Sequence, residues 1–125
     1  MAQVAVRIFE REAGALRSGV LDRSHLARMT FGDRSLEREV LQLFERQAEM
    51  LMARMRRSEP AAIATLAHTL KGSAASIGAG GVARAAEDTE LSASRAPAEC
   101  GRAIDQLAEA VQEALVEIGA ILRTQ

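Results

Sequence analysis

The sequence predicts an all-α protein: an antiparallel up-and-down four-helix bundle with one or two extra helical segments at its N-terminus. Three observations lead to this prediction. The 125 residues are rich in strong helix formers, with only two prolines and 2% aromatic residues. Apolar residues recur every three or four positions along most of the chain. The breaks between these periodic stretches are short, which favours antiparallel packing of neighbouring helices.

The first 19 residues are predicted to add a helical appendage to a bundle that occupies residues 20–125. Apolar positions with helical spacing are sparse in this appendage: Val4, Ile8, Phe9 and Leu16. Asp22 then suits the N-cap of a short helical segment that follows.

The next helix is predicted from Asp33, its N-cap, to about Arg56. Its apolar positions have helical spacing throughout: Leu36, Val40, Leu43, Phe44, Leu51 and Met55. Ser58-Glu59-Pro60 then breaks and restarts the chain, because proline is tolerated in a first helical turn. The helix that begins there is expected to end near Gly78, with Gly80-Gly81 forming another turn.

Two more helices complete the predicted bundle. The first runs from Val82 to about Ala93, and its inner face is small and partly polar: Val82, Ala85, Ala86 and Thr89. The second starts near Pro97 and runs to about Arg123. Its apolar stripe is the most regular in the chain: Cys100, Ile104, Leu107, Val111, Leu115, Ile118 and Leu122.

Overall charge, length and cysteine content limit the class of protein. Sixteen basic residues balance 17 acidic ones, which argues against a nucleic-acid binder with a basic surface. No apolar run approaches the roughly 20 residues that span a bilayer. A single cysteine fits a reducing compartment. We therefore expect a cytoplasmic protein that binds neither nucleic acid nor membrane.

The helix that starts at Pro60 has two unlike faces. One is a stripe fit for burial: Ile63, Leu66, Leu70, Ala74 and Ile77. His68 lies almost opposite that stripe, among residues of little bulk: Ala61, Ala64, Thr65, Gly72 and Ala75. A side chain at position 72 would fold back over His68, and mid-helix glycine costs about 0.5–1 kcal/mol relative to alanine. We interpret this surface of small residues as clearance for a docking protein.

Lys71 lies three residues after His68, where its ammonium can reach an anion attached to the ring. A phosphoryl group is the natural anion. Neutral imidazole is a competent nucleophile for phosphorus, because one ring nitrogen has a free lone pair. We therefore interpret His68 as a residue that carries phosphate.

The residues His68-Thr69-Leu70-Lys71-Gly72, followed by Ser73, Ala74, Ile77 and Gly78, resemble the H-x-x-K-G signature of histidine phosphotransfer (HPt) domains. The likeness extends over roughly residues 20–122. It implies a phosphorelay intermediate, not an enzyme, whose His68 Nε2 takes a phosphoryl group from a receiver-domain aspartate and passes it to another receiver. The partners that it implies are receiver domains of a hybrid sensor kinase and a response regulator.

The same likeness implies a carboxylate or amide on the following helix that orients the ring through Nδ1. The matching position is Glu90, 22 residues after His68. Thr89 stands before it, where many HPt domains have a large apolar residue. A small change in helix phase would bring Glu87 nearer to the ring, so Glu87 stays open as the alternative partner.

We expect no cofactor and no metal site in this chain. Two histidines and one cysteine, without an H-x-x-x-H pair, are poor metal ligands. No glycine-rich phosphate loop is present, so neither ATP binding nor autokinase activity is expected. Phosphoryl transfer still requires positioned cations, so Mg²⁺ is expected on the partner receiver domain. We expect a monomer.

Two rival interpretations remain open at the level of sequence. A non-catalytic helical adaptor would bind its partners without phosphate. The dimerisation bundle of a histidine kinase also displays a helix histidine, but an acidic residue usually follows that histidine directly, and Thr69 stands here.

Overall fold

The computed structural model describes residues 20–124, which are helical apart from short connections. The elements in chain order are α1 (Arg23–Met29), α2 (Arg34–Met55), α3 (Pro60–Ile77), α4 (Gly80–Arg95), the 3₁₀ turn Pro97–Glu99 and α5 (Cys100–Arg123). No strand occurs in this range, which confirms the all-α class for the described residues. The helical appendage predicted over residues 1–19 lies outside them.

The helix ends follow the capping residues of the sequence. Asp22 and Asp33 are the N-caps of α1 and α2, and each carboxylate accepts a backbone hydrogen bond of 3.0 Å from the residue three positions on. Pro60 opens α3, and Gly78 ends it with a left-handed φ of 84°. The turn predicted at Gly80-Gly81 is wrong, because these residues begin α4.

Helices α2 to α5 enclose one hydrophobic core. Helix α3 packs between α2 and α4, α5 packs on α4 and on α2, and α1 lies against α3. None of these helices is both long enough and apolar enough to cross a membrane. The largest fully buried apolar side chains come from all five helices: Leu26, Leu41, Met55, Leu70, Val82, Leu107 and Ile118.

The buried face of α2 differs from the stripe predicted for it. Its buried residues are Leu41, Phe44, Ala48, Leu51 and Met55. Leu43 was expected in this stripe but is 58% exposed. The reason is helix geometry, since Leu43 lies about 200° around the axis from Leu41.

A close backbone contact ties α1 to the C-terminal end of α3. The N–H of Asp22 donates to the carbonyl of Gly78 at 2.8 Å. A Cβ on residue 78 would lie only 2.9 Å from the carbonyl oxygen of Asp22. Glycine is therefore required there both by the positive φ and by this approach. His25 adds a second tie, because its Nε2 donates to the carbonyl of Ser76 at 2.9 Å.

Candidate functional site

His68 lies in the middle of α3, on the side that faces away from the core. Leu66, Ala67 and Leu70 around it are buried, whereas the imidazole side chain is 66% exposed. The helical advance of about 100° per residue produces this contrast. The ring is thus held by the backbone of a packed helix and remains open to an approaching molecule.

Glu90 on α4 binds the ring from one side. Its Oε2 lies 3.0 Å from Nδ1 of His68. Because a carboxylate only accepts hydrogen bonds, the proton of this bond sits on Nδ1, and in the neutral ring the lone pair is then on Nε2. Glu87 is exposed and has no hydrogen bond to the ring, so the structure brings Glu90 and not Glu87 to His68.

Lys71 extends this contact to a row of three polar side chains. Its Nζ lies 3.2 Å from Oε1 of Glu90, so the two oxygens of one carboxylate bind two different residues. Burial would raise the pKa of Glu90, but the hydrogen bonds and charges of Lys71 and His68 together lower this pKa below its ordinary value. Glu90 is therefore ionised at neutral pH.

Thr89, which precedes Glu90 on α4, is directed into the core. Thr89 is fully buried, and its hydroxyl lies 2.9 Å from the carbonyl oxygen of Ala85 and 3.3 Å from that of Ala103 on α5. This hydroxyl is satisfied inside the bundle, so a threonine fits where the family likeness suggested a large apolar residue. With Thr89 directed inward, the next residue faces the neighbouring helix.

The residues predicted as a docking surface surround His68. Ala61, Thr65, Gly72 and Ala75 are exposed, and Ala64 is half-buried. A shallow depression beside the ring is lined by Ala64, Thr65, Thr69 and Glu90 together with His68 itself. Sequence reasoning did not select Thr69, whose hydroxyl donates to the carbonyl of Thr65 at 3.1 Å.

Gly72 has open space beside it. A Cβ at this position would meet no atom within 4 Å outside its own helical turn. Packing inside the bundle therefore does not require a glycine here. The space above Gly72 is available to a molecule that approaches His68.

Among residues 20–124, no group of three or more His, Cys, Asp or Glu side chains is arranged to hold a metal ion. Cys100 is buried, and this burial raises the pKa of its thiol. The described site therefore offers one nucleophilic nitrogen, one carboxylate and one ammonium.

Comparison with known protein families identifies the family of this chain. Residues 39–116 match the family model described as Hpt domain, and this stretch includes all of α3 and α4. No curated protein and no solved structure was found to match the chain. Because the family match covers more than half of the 125 residues, the chain belongs to the Hpt domain family, whose members are helical bundles that carry phosphoryl groups on histidine in two-component phosphorelays.

Proposed function

We propose that this protein is a histidine phosphocarrier in a multistep phosphorelay. His68 Nε2 accepts a phosphoryl group from a receiver-domain aspartate and passes it to an aspartate of another receiver. One observation supports this role above all others: an imidazole that is 66% exposed and whose Nδ1 lies 3.0 Å from a carboxylate oxygen. This arrangement leaves Nε2 unprotonated and accessible in the neutral ring.

The forward step begins when the Nε2 lone pair attacks the phosphorus of the receiver's aspartyl phosphate. The N–P bond forms as the P–O bond to the aspartate breaks, and the aspartate leaves as a carboxylate with the electron pair. The ring of His68 then carries a positive charge, with its proton still on Nδ1. Glu90 stabilises that charge through its hydrogen bond of 3.0 Å. Transfer to a second receiver reverses these steps and restores the neutral ring.

Two cations neutralise the transferring group, as phosphoryl transfer requires. Lys71, which is 3.2 Å from Glu90 in the unphosphorylated protein, supplies one of them from within the chain. Mg²⁺ in the acidic pocket of the receiver supplies the other. In this proposal the chain neither binds ATP nor phosphorylates itself.

Receiver domains of a hybrid sensor kinase and of a response regulator are the proposed partners, and a monomer is the proposed active form. Receivers dock on the surface around His68: Ala61, Ala64, Thr65, Gly72 and Ala75. The small side chains of this surface let the aspartyl phosphate come within bonding distance of Nε2.

Transfer from a receiver with radiolabelled aspartyl phosphate tests the proposal. Wild-type protein should take up acid-labile, base-stable label, and His68→Gln should take up none while its helical circular dichroism is unchanged. His25→Gln is the matched control, because it removes the other histidine of the chain and should be labelled fully. Full labelling of His68→Gln would contradict the proposal and favour the adaptor interpretation.

Replacing the orienting carboxylate should slow transfer without abolishing it. A hydrogen bond to a charged group contributes about 1.5–3 kcal/mol, so Glu90→Ala should reduce the rate by roughly 10- to 100-fold. Glu87→Ala, in which an exposed carboxylate on the same helix is removed, should transfer at the wild-type rate. Equal rates for Glu90→Ala and wild type would exclude Glu90 from the reaction.

A further inference from the structure

The reactive nitrogen of His68 points in a defined direction. Glu90 on α4 binds the other ring nitrogen, Nδ1, at 3.0 Å. The two nitrogens of an imidazole point to different sides of the ring, so Nε2 points away from Glu90 and from α4. Side chains of a helix also lean toward its N-terminus, so the ring lies over the turn of α3 that contains Ala64 and Thr65. A phosphoryl group on Nε2 would therefore lie beside this turn, on the side that faces away from α4.

Lys71 and Thr65 lie on opposite sides of His68. Each is three residues away, so the two lie about 60° to either side of His68 around the axis of α3. Lys71 is on the side of α4, where its Nζ contacts Glu90 at 3.2 Å. Thr65 is on the other side, is exposed and lines the depression beside the ring. Thr65 is thus the polar residue on the flank of the ring toward which Nε2 points.

The hydroxyl of Thr65 is only loosely bound within its own helix. Its Oγ1 lies 3.4 Å from the carbonyl oxygen of Ala61, whereas hydrogen bonds between oxygens are usually about 2.5–3.0 Å long. The hydroxyls of Thr69, Ser76 and Ser94 bind the corresponding carbonyls of their helices at 3.1, 3.0 and 3.1 Å. The proton of Thr65 can therefore turn to a stronger acceptor at little cost.

The other residues that line this depression are less suitable donors. Ala64 has no polar atom in its side chain, and the carboxylate of Glu90 would repel a phosphoryl group. Thr69 lies about 100° from His68 around the axis of α3. Its hydroxyl is already bound to the carbonyl of Thr65 at 3.1 Å. The geometry thus favours Thr65 as the donor.

We propose that the Thr65 hydroxyl donates a hydrogen bond to an oxygen of the phosphoryl group on Nε2 of His68. This role rests on the proposed function, because the acceptor is the phosphoryl group that His68 carries. The proton stays on Oγ1, and Thr65 forms no bond to phosphorus. Phosphoryl oxygens are charged and accept strong hydrogen bonds. Thr65 therefore stabilises the phosphorylated form of His68 from the side opposite Lys71.

The equilibrium of phosphoryl transfer between a receiver and this protein tests the proposal. Thr65→Val removes the hydroxyl and keeps a branched side chain, so the equilibrium constant for phosphorylation of His68 should fall about tenfold. This constant compares the free proteins. A change in docking alone would alter the forward and reverse rates together and would leave the constant unchanged. Thr65→Ser keeps the hydroxyl and should keep the wild-type constant.

Ser76→Ala is the matched control. It removes another exposed hydroxyl of α3, one that binds the carbonyl of Gly72, and should leave the equilibrium constant unchanged. Helical circular dichroism verifies that each variant is folded. A wild-type constant in Thr65→Val would overturn the proposal and would leave Thr65 with a role in docking only. Equal losses in Thr65→Val and Thr65→Ser would also overturn it, because the methyl group and not the hydroxyl would then be responsible.

A measurement without a receiver separates this proposal from the proposed function. In the His25→Gln background His68 is the single histidine, and phosphoramidate should phosphorylate it chemically. A hydrogen bond to the charged phosphoryl group lowers its pKa, so Thr65→Val should raise that pKa in a phosphorus NMR titration. Failure of receivers to phosphorylate the wild-type protein would contradict the proposed function alone. The same phosphoryl pKa with and without Thr65→Val would overturn the role of Thr65.

Discussion

At the scale of single residues, one carboxylate binds both the imidazole of His68 and the ammonium of Lys71. Glu90 accepts a hydrogen bond from Nδ1 of His68 with one oxygen and contacts the ammonium of Lys71 with the other. The ionised carboxylate of Glu90 favours the tautomer of the neutral ring that has its proton on Nδ1. Lys71 contacts this carboxylate and not the ring.

Removing the positive charge of Lys71 should raise the pKa of Glu90. Burial of Glu90 would remain in Lys71→Met, while the hydrogen bond and the charge of Lys71, which both lower this pKa, would be lost. An NMR titration of the Glu90 carboxyl carbon measures the change. Lys71→Arg keeps the cation and should keep the pKa of Glu90 low. An unchanged pKa of Glu90 in Lys71→Met would contradict the conclusion that Lys71 lowers it.

The same shift determines the sign of a pH effect on stability. Glu90 has a lower pKa in the folded chain than its ordinary value of 4.5. Its stabilising contribution is therefore complete above that ordinary value and is lost as the pH falls through the folded pKa. The free energy of unfolding, measured with urea, should differ more between wild type and Lys71→Met at pH 7 than at pH 3.

At the scale of helices, the glycine within α3 and the glycine that ends it have opposite roles. Gly72 lies in open space within the helix, whereas Gly78 has a φ of 84° and contacts the backbone of Asp22. Gly72 is thus dispensable for folding, and Gly78 is needed for the junction between α1 and α3.

These two positions should respond in opposite directions to alanine. Gly72→Ala should stabilise the protein by about 0.5–1 kcal/mol, which is the helix propensity difference. Gly78→Ala should destabilise it by at least about 1–2 kcal/mol, the cost of a left-handed residue with a Cβ, because the contact with Asp22 is an additional penalty. Urea denaturation of the two variants measures both values. Equal effects on the free energy of unfolding would show that at least one of the two environments is not as described.

Local rules predicted most helix ends, with one error at Gly80-Gly81. Asp22, Asp33 and Pro60 start helices where capping rules place them. The prediction of a turn at Gly80-Gly81 is wrong because Gly78 completes the end of α3 without these two residues. The N–H of Ala79 donates back to the carbonyl of Ala74 at 2.8 Å, so the next helix can begin at once.

The candidate site was predictable to the extent that it lies on one helix. The spacing of His68, Lys71 and Gly72 along α3 follows from helix geometry alone. Glu90 comes from another helix, and its orientation depends on how α4 is rotated. The buried hydroxyl of Thr89 is consistent with that rotation, but its partner Ala103 on α5 could not be inferred from spacing. The choice between Glu90 and Glu87 therefore required the structure.

At the scale of the whole molecule, α2 to α5 share a single core, and Cys100 at the start of α5 belongs to it. The thiolate is the reactive form of cysteine, and burial disfavours it by raising the thiol pKa. The reactivity of this cysteine consequently reports the integrity of the entire bundle.

Cys100, the single cysteine of the chain, should react with a thiol reagent far more slowly in the native protein than in the unfolded one. Because the core is shared, the rate should rise in one step at the urea concentration where helical circular dichroism is lost. Free cysteine provides the reference rate. Reaction in the absence of urea at that reference rate would contradict the burial of Cys100.

The openness of the His68 ring has a consequence for signal duration. On the proposed function, a phosphoryl group on Nε2 of an imidazole that is 66% exposed is open to bulk water as well as to a receiver. The phosphoryl group then leaves His68 either by spontaneous hydrolysis or by transfer to the next receiver, and the faster of the two reactions predominates. On the proposed function, the fraction of phosphoryl groups that is passed on rather than hydrolysed therefore rises with the concentration of receivers.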